Sequence, residues 1–490
     1  MIGARVAVRS LCGLTLAAAC VSAPLATQFE EIEAKIERVI ADEGVPSMAV
    51  AVAREGRILW EAAFGLANKE TGLAATPHTP YSLASISKPI TATGLMILVE
   101  RRLVDLDRPI NEYLGDAKVI GRAGPARDAT LRRVANHTSG LPLHYQFFYE
   151  DEPYRRPPMD ETIRRYANLV TAPGERFQYS NLGYGLIDDV IARRSGMGYA
   201  EFMRTRVFEP LGMSHSAVDV PPGLEDKQAV RYAPDGTPIP FYDFDHRGAS
   251  AVYASVHDLI RFAMFHLGDD IKGQRAVISE AARRAMQRPT AEASPGRAYG
   301  IGWGTRECDD GAVLVSHGGG MGGVTTNLTM VPEDDLAVAV LANSSSRWPR
   351  VIAHDILDTL LPGCGEAAED DGDGRPATDL RPLGGTWRGT VSTYKGDLPL
   401  SITIRDQTVT AQLGDGAAMP VEAVRFRHGF LSGRFTGTIG TPDVQRREYR
   451  VQLDLKLRGD VLNGSAIAQS TPGNRVGNAL THWAELRRYE

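Results

Sequence analysis

Ser85 and Lys88 stand three residues apart in the stretch "YSLASISKPITATG", residues 81–94. Of the 54 lysine and arginine residues in the chain only eight are lysine. The distinction matters chemically, because a lysine amine can lose its proton and an arginine guanidinium cannot. A serine hydroxyl is a poor nucleophile until a base removes its proton. A lysine can be that base when burial or a neighbouring positive charge lowers its pKa. Residues three apart share a face of a helix but point to opposite sides of a strand, so the pair works only on a helix. A second Ser-x-x-Lys, Ser392 and Lys395 in "STYK", serves as an internal control. It lies in β-patterned sequence directly before a Gly-Asp turn and reads as surface. Ser85 falls where a helix should begin, since Pro89 is tolerated in a first turn and "ITATGLMILVE" continues the pattern. Backbone N–H groups at such a helix start would stabilise developing negative charge.

Two more stretches carry chemistry. "FQYSNLGYG" contains Tyr179, Ser180 and Asn181, and "VSHGGGMGG" contains His317, Gly318 and Gly319 at the end of an expected strand. In this order, Ser-x-x-Lys, Tyr-x-Asn and a Lys/His-x-Gly triplet resemble the serine β-lactamase and penicillin-binding-protein superfamily. Within it the pattern is most similar to the branch of class C β-lactamases, DD-peptidases and β-lactamase-like esterases. "RRLVDLDRPINEYL", "TLRRVANHTSGLP", "PGERFQYSNLGYGLI" and "GASAVYASVHDLIRF" look like family segments in family order, and the resemblance covers about residues 28–361.

The resemblance implies a serine hydrolase acting on an ester or amide: a β-lactam, a D-amino-acid peptide or a carboxylic ester. Ser85 would be acylated, and Lys88 would take its proton alone or jointly with Tyr179. Tyr179, its pKa lowered by nearby cationic groups, would pass the proton to the leaving group. Asn181 would hydrogen-bond a substrate amide or Lys88, and it also suits a helix N-cap. The oxyanion would sit between the backbone N–H groups of Ser85 and Gly320. His317, Gly318, Gly319 and Gly320 would line the substrate. His317 departs from the lysine of the β-lactamases, and as a weaker, pH-dependent cation it tilts the expectation toward peptidase or esterase. His137 is expected to hold a loop. Residues 144–158, "HYQFFYEDEPYRRPP", either border the site or form an exposed excursion. The rival reading is a non-catalytic penicillin-binding-like envelope protein that binds ligand without turnover. A Gly-x-Ser-x-Gly elbow is missing from the sequence, which disfavours the α/β-hydrolase triad.

Positioning such a site requires a scaffold, and the chain outlines one. "TQFEEIEAKIERVIADEG" predicts a helix capped by Thr27 with Glu30, with Ile32, Ile36, Val39 and Ile40 on one face. "SMAVAVAREGRILWEAAFG" predicts a hairpin turning at Glu55-Gly56. A mostly helical region follows to about residue 290. Three apolar β-rich runs, "AVLVSHGG", "VTTNLTMVP" and "LAVAVLANS", precede a closing helix, "RVIAHDILDTLL". The expected fold is α+β: an antiparallel sheet flanked by helices with a helical subdomain, β-lactamase/transpeptidase-like, over residues 27–362. Residues 363–379 read as an acidic Gly/Pro-rich linker. In residues 380–490, Val451, Leu453, Leu455 and Leu457 alternate with polar residues, the period of a half-buried strand. That region is expected to be an all-β domain, similar to the lipocalin-like barrels appended to some relatives, which could cap the site, bind ligand or aid assembly.

Residues 1–23 read as an export signal: Arg5 and Arg9 precede the short apolar core "LCGLTLAAAC". Export to the periplasm or beyond is expected, with Cys20 as a lipid-bearing residue for membrane attachment or, alternatively, cleavage near Ala23. Cys308 and Cys364 are the remaining cysteines, and their spacing leaves pairing open. A net charge of -6 with no basic run argues against nucleic acid as a partner. The sequence holds no metal-ligand spacing of the H-E-x-x-H or cysteine-zinc type, so neither metal nor cofactor is expected, and the substrate is expected to be a small molecule or peptide bearing an acyl group.

Overall fold

The computed structural model describes residues 25–220, 223–308, 311–364 and 379–489. Residues 1–23, expected to be an export signal, with Cys12 and Cys20, and nearly all of the expected linker lie outside the described residues. Among the described residues no helix is long and apolar enough to cross a membrane.

The first strand of the chain, Ser47–Arg54, sits in the middle of a nine-stranded antiparallel sheet. It is flanked by its hairpin partner Arg57–Asn68 and by the much later strand Leu336–Ala342. The hairpin turns at Glu55 and Gly56, both with positive φ, as the two-residue turn chemistry requires. Alternation of side chains sorts the two faces. Met48, Val50, Val52, Val338 and Val340 face one side, where they pack with Phe29, Ile32, Ile36 and Val39 of the first helix (Leu25–Asp42) and Ile352 and Ile356 of the last (Trp348–Leu360). Full burial of each such aliphatic side chain contributes about 1.5–3 kcal/mol. Ala49, Ala51, Ala53, Ala337 and Ala339 face the other side. Their small side chains let the helix Val256–Leu267 lie close to the sheet. The first helix is already formed at Leu25, so Thr27 lies inside it rather than at its cap, contrary to the capping-box expectation.

The strands Val313–Met321, Val324–Val331 and Leu336–Ala342 form where the three β-rich runs predict them. Cys308 and Cys364 are joined by a disulfide with 4.9 Å between Cα atoms, tying the end of the strand Gly304–Glu307 to the segment that follows the last helix. The bridge closes a loop with a sequence separation of 56. Constraint of the unfolded chain alone makes that worth about 4 kcal/mol. Reduction, or Cys308→Ser, is therefore expected to lower the melting temperature in a thermal scan. An unchanged melting temperature would show that the bridge carries no such constraint.

The strands from Gly385–Thr393 to Ala479–Tyr489 make a second nine-stranded antiparallel sheet. Its last strand returns to pair with its first, Thr386 opposite Tyr489, so the sheet curls into a nearly closed barrel. Its core includes Trp387, Ile402, Leu453, Leu455 and Leu486. The period-two run is the strand Tyr449–Arg458, with Val451, Leu453 and Leu455 buried. The control serine, Ser392, lies in the strand Gly385–Thr393, and Lys395 is exposed in the turn after it.

The barrel docks on the first unit through residues 145–149. Tyr145 exchanges both backbone hydrogen bonds with Ala479, Asn478 Oδ1 accepts from the backbone N–H of Phe147 at 2.9 Å, and Tyr149 Oη donates to the carbonyl of Val476 at 3.1 Å. Residues 147–149 also form a buried strand against Tyr242–Phe244. The aromatic half of segment 144–158 is thus a buried docking element, and the charged second half is partly exposed, with Asp151 and Glu152 paired to barrel arginines.

Candidate active site

Ser85 lies in a 3₁₀ turn, Ala84–Ile86, that leads into the helix Ser87–Glu100. The α-helix begins two residues later than the expectation that Ser85 itself opens it. The turn is held from three sides. Leu83 N–H donates to the carbonyl of Val252 at 2.9 Å, Ser87 Oγ accepts from Val252 N–H at 3.0 Å, and Thr326 Oγ1 donates to the carbonyl of Leu83 at 2.9 Å. Ala84 has φ of +48°. A left-handed alanine costs on the order of 1 kcal/mol, and the surrounding contacts hold it there. Gly319 presses against this turn: a Cβ at that position would meet Thr326 Oγ1 at 2.2 Å and the carbonyl oxygen of Leu83 at 2.3 Å. Only glycine allows the strand Val313–Met321 to pass so close to the nucleophile.

Lys88 is fully buried, one turn beyond Ser85. Its Nζ lies 3.1 Å from Ser85 Oγ, 2.8 Å from Asn181 Oδ1 and 3.2 Å from the carbonyl oxygen of Ala249. No carboxylate is among these partners, and burial pushes the amine well below its ordinary pKa. A neutral amine has two N–H groups and one lone pair. Asn181 Oδ1 and the Ala249 carbonyl can only accept, so they take the two N–H groups, and the lone pair is left for the hydroxyl proton of Ser85.

Tyr179 places its ring 4.6 Å from Lys88 Nζ, with its phenol directed to Ser85. Its phenol is pushed up by burial, with the Ser85 contact opposing. This corrects the expectation of a lowered pKa: burial of the phenol is the larger influence. The phenol rests protonated. Its position is fixed by His137, which brackets it along the backbone. The carbonyl of His137 accepts from Gln178 N–H at 2.7 Å, and its Nδ1 accepts from Ser180 N–H at 3.1 Å. The histidine backbone adopts φ of +62° to make both bonds, and its ring lies 4.3 Å from that of Tyr179.

Asn181 is the first residue of the helix Asn181–Ser195, but the cap is Ser180, whose Oγ accepts from Gly183 N–H at 3.0 Å and donates to the carbonyl of Pro142 at 2.7 Å. Capping by the serine frees the asparagine amide to reach Lys88.

His317 is neutral rather than the pH-dependent cation expected. The carbonyl of Gly318 can only accept, so Nδ1 carries the proton and donates to it at 2.7 Å, and Nε2 accepts from Tyr299 Oη at 2.9 Å. Burial, reinforced by the neighbouring Lys88, takes the ring down to about 3. Tyr299 carries no motif signal. It lies in the strand Arg297–Tyr299, two strands from His317. Tyr184 completes the aromatic wall, 5.8 Å from Lys88 Nζ. Gly318 continues the strand, and Gly320 is exposed, with open space where a Cβ would stand. The described pairing with the strand Gly304–Glu307 stops at Ser316, so beyond it that edge of Gly318–Gly320 has no strand neighbour among the described residues. The hairpin beyond it is buttressed by the barrel: a Cβ on Gly322 would meet Val476 at 2.1 Å.

Comparison with known proteins identifies the family and the fold. The sequence model of the Beta-lactamase family matches residues 32–360, and the chain belongs to that family. It is 27% identical over 373 residues to a human protein named "Putative beta-lactamase-like 1", covering 73% of each chain. It is 25% identical over 378 residues to "Penicillin-binding protein 4" of Amycolatopsis lactamdurans, covering 72% of this chain and 96% of that one. The solved structure of SurE superposes with a TM-score of 0.64 at 24% identity, over 95% of this chain and 100% of the other, so the shared fold includes the barrel. The expected β-lactamase/transpeptidase-like fold and the superfamily resemblance are both borne out, and with them a hydrolase of the serine type.

Proposed function

We propose that the chain hydrolyses a carboxylic ester or amide through an acyl-enzyme on Ser85. The observation that carries the reading is the buried Lys88, whose two acceptor-only partners leave its lone pair directed at Ser85 Oγ. Lys88 takes the hydroxyl proton as Oγ attacks the substrate carbonyl. The oxyanion is received by the backbone N–H groups of Ser85 and Gly320. Collapse breaks the bond to the leaving group, which takes a proton from the Tyr179 phenol, and Lys88 restores that proton. Water then adds by the reverse route and releases the acid. The open edge of Gly318–Gly320 suits an extended acyl substrate lying alongside as a further strand. A neutral His317 offers no charge for a substrate carboxylate, which supports an ester, or a peptide without a carboxylate beside the scissile bond, over a β-lactam. The amino-terminal sequence supports action outside the cytoplasm, with or without a lipid on Cys20.

Side-by-side rates on nitrocefin, p-nitrophenyl acetate and D-alanyl peptides test the substrate class. Fastest turnover of nitrocefin would overturn the preference for esters or peptides, and no turnover or adduct with any of them would favour the binding-only alternative.

The pH dependence has a defined sign. Lys88 must be neutral to act, so kcat/KM rises with pH through its depressed pKa. His317, at about 3, does not titrate between pH 5 and 8. His317→Gln is expected to lower activity without moving the acid limb of the pH–rate profile. A limb that shifts in this variant would assign the titration to His317.

A further inference from the structure

The chain has 11 histidines, and three of them gather outside the active site. His78, in the loop that leads to the nucleophile, lies tilted against His257 and His215, with ring centroids 4.7 Å and 5.0 Å away. Glu61, from the central sheet, accepts through Oε2 from His257 Nδ1 at 2.9 Å. One donor atom from each of Glu61, His78 and His257 lies within 4.8 Å of the others. None of these side chains takes part in the hydrolytic geometry. We propose that Glu61, His78 and His257 form a binding site for Zn²⁺ or a chemically similar divalent transition metal.

The donor set is two imidazoles and a carboxylate, which suits zinc and not the oxygen-seeking magnesium or calcium. Ligands on a tetrahedral zinc lie about 3.3 Å apart, given metal–ligand bonds of about 2.0–2.1 Å. Glu61 Oε2 and His257 Nδ1 already stand 2.9 Å apart, and His78 is exposed, so its side chain is the one with room to adjust to that spacing. A further carboxylate lies beside the set. Asp258, fully buried, accepts from His215 N–H at 2.6 Å and from Ser216 Oγ at 2.8 Å through Oδ2. Its Oδ1 has no hydrogen-bond partner and stands 3.9 Å from His215 Nδ1. His215 Nδ1 meets Ser214 Oγ at 3.1 Å, so this histidine and Asp258 border the site without being among its three ligands.

The three ligands come from the strand Arg57–Asn68, the loop before Ser85 and the first turn of the helix Val256–Leu267. The His257 backbone N–H also donates to the carbonyl of Pro77 at 3.2 Å. A bound ion would pin the approach to the nucleophile onto the sheet and the helix, a structural rather than a chemical role. The ligands are scattered at positions 61, 78 and 257, which is why spacing motifs in the sequence give no hint of them.

The test uses the full chain without an affinity tag, stripped by chelator and titrated with Zn²⁺ against a chromophoric competitor. One equivalent is expected to bind in the micromolar range or tighter. His78→Ala and His257→Ala, each at or near the surface, are expected to weaken it by at least about tenfold, the scale of even an outer-shell loss. His354→Ala and His428→Ala are expected to bind as the unaltered chain does. Co²⁺ in place of Zn²⁺ is expected to give the visible absorption of a tetrahedral site, which is a readout independent of the variants. Absence of saturable binding, or one equivalent that survives both His78→Ala and His257→Ala, would overturn the proposal.

Discussion

Lys88→Met is expected to reduce turnover by roughly 10⁴-fold or more, the scale seen when one member of a nucleophile–base unit is removed. Methionine keeps the length and apolar stem of the lysine, so the packing of the helix Ser87–Glu100 should survive. What disappears is the lone pair that receives the Ser85 proton. The companion Lys88→Arg separates charge from basicity. It supplies a cation and hydrogen-bond donors but cannot accept a proton at any working pH. Both variants should therefore fail at acylation, measured as burst amplitude in single-turnover experiments. If Lys88→Arg retained a tenth of the activity, the lysine would be a structural donor to Asn181 and Ala249, and the base would lie elsewhere. Tyr179→Phe should be milder, about 10²–10⁴-fold, because a relay is lost and the base is kept.

Asp443→Ala is expected to destabilise the protein by about 3–5 kcal/mol, the scale for breaking a buried, hydrogen-bonded charge. This carboxylate belongs to the barrel. It accepts from Tyr166 Oη and, at 3.3 Å, from Arg165 Nη1, both of the first unit. Its other oxygen accepts from Tyr394 Oη at 2.8 Å and from Val444 N–H at 3.1 Å. Burial alone would raise its pKa, but the tyrosine hydroxyls and Arg165 outweigh that and lower it. Its contribution is therefore fully present above the ordinary carboxylate pKa and is lost as pH falls through the lowered one. The other ion pairs between the units, such as Arg176 with Asp454 and Arg475 with Asp151, are partly exposed and each contributes little. Calorimetry of Asp443→Ala should show the barrel unfolding separately from the first unit. A single transition at the unaltered temperature would show that docking does not depend on this residue. Asp443→Asn, which keeps an acceptor, should lose less.

Much of the site was legible because its chemistry is packed into short local motifs. Ser85 and Lys88 are set by one turn at a helix start, and Asn181 opens the helix Asn181–Ser195. The glycines at 318–320 lie along one strand. The hairpin at Glu55-Gly56 and the alternation from Val451 to Leu457 were legible because their periods are local as well. What escaped depends on contacts between distant segments. The state of His317 is set by Tyr299, two strands away, and by the carbonyl of Gly318. The elevated phenol of Tyr179 follows from burial, which composition does not report. The choice of Ser180 over Asn181 as cap turns on the amide being drawn to Lys88. Residues 145–149 look like a loop until the barrel offers Asn478 and Ala479 as partners. The Cys308–Cys364 bridge needs the return of the last helix to the sheet edge.

The most direct measurement is the intact mass of the protein after exposure to a fluorophosphonate, with peptide mapping of the product. One covalent adduct on the unaltered chain, located at Ser85 and lost in Ser85→Ala, is the predicted result. An unmodified chain, or an adduct that persists in Ser85→Ala, would contradict the assignment of Ser85 as the nucleophile.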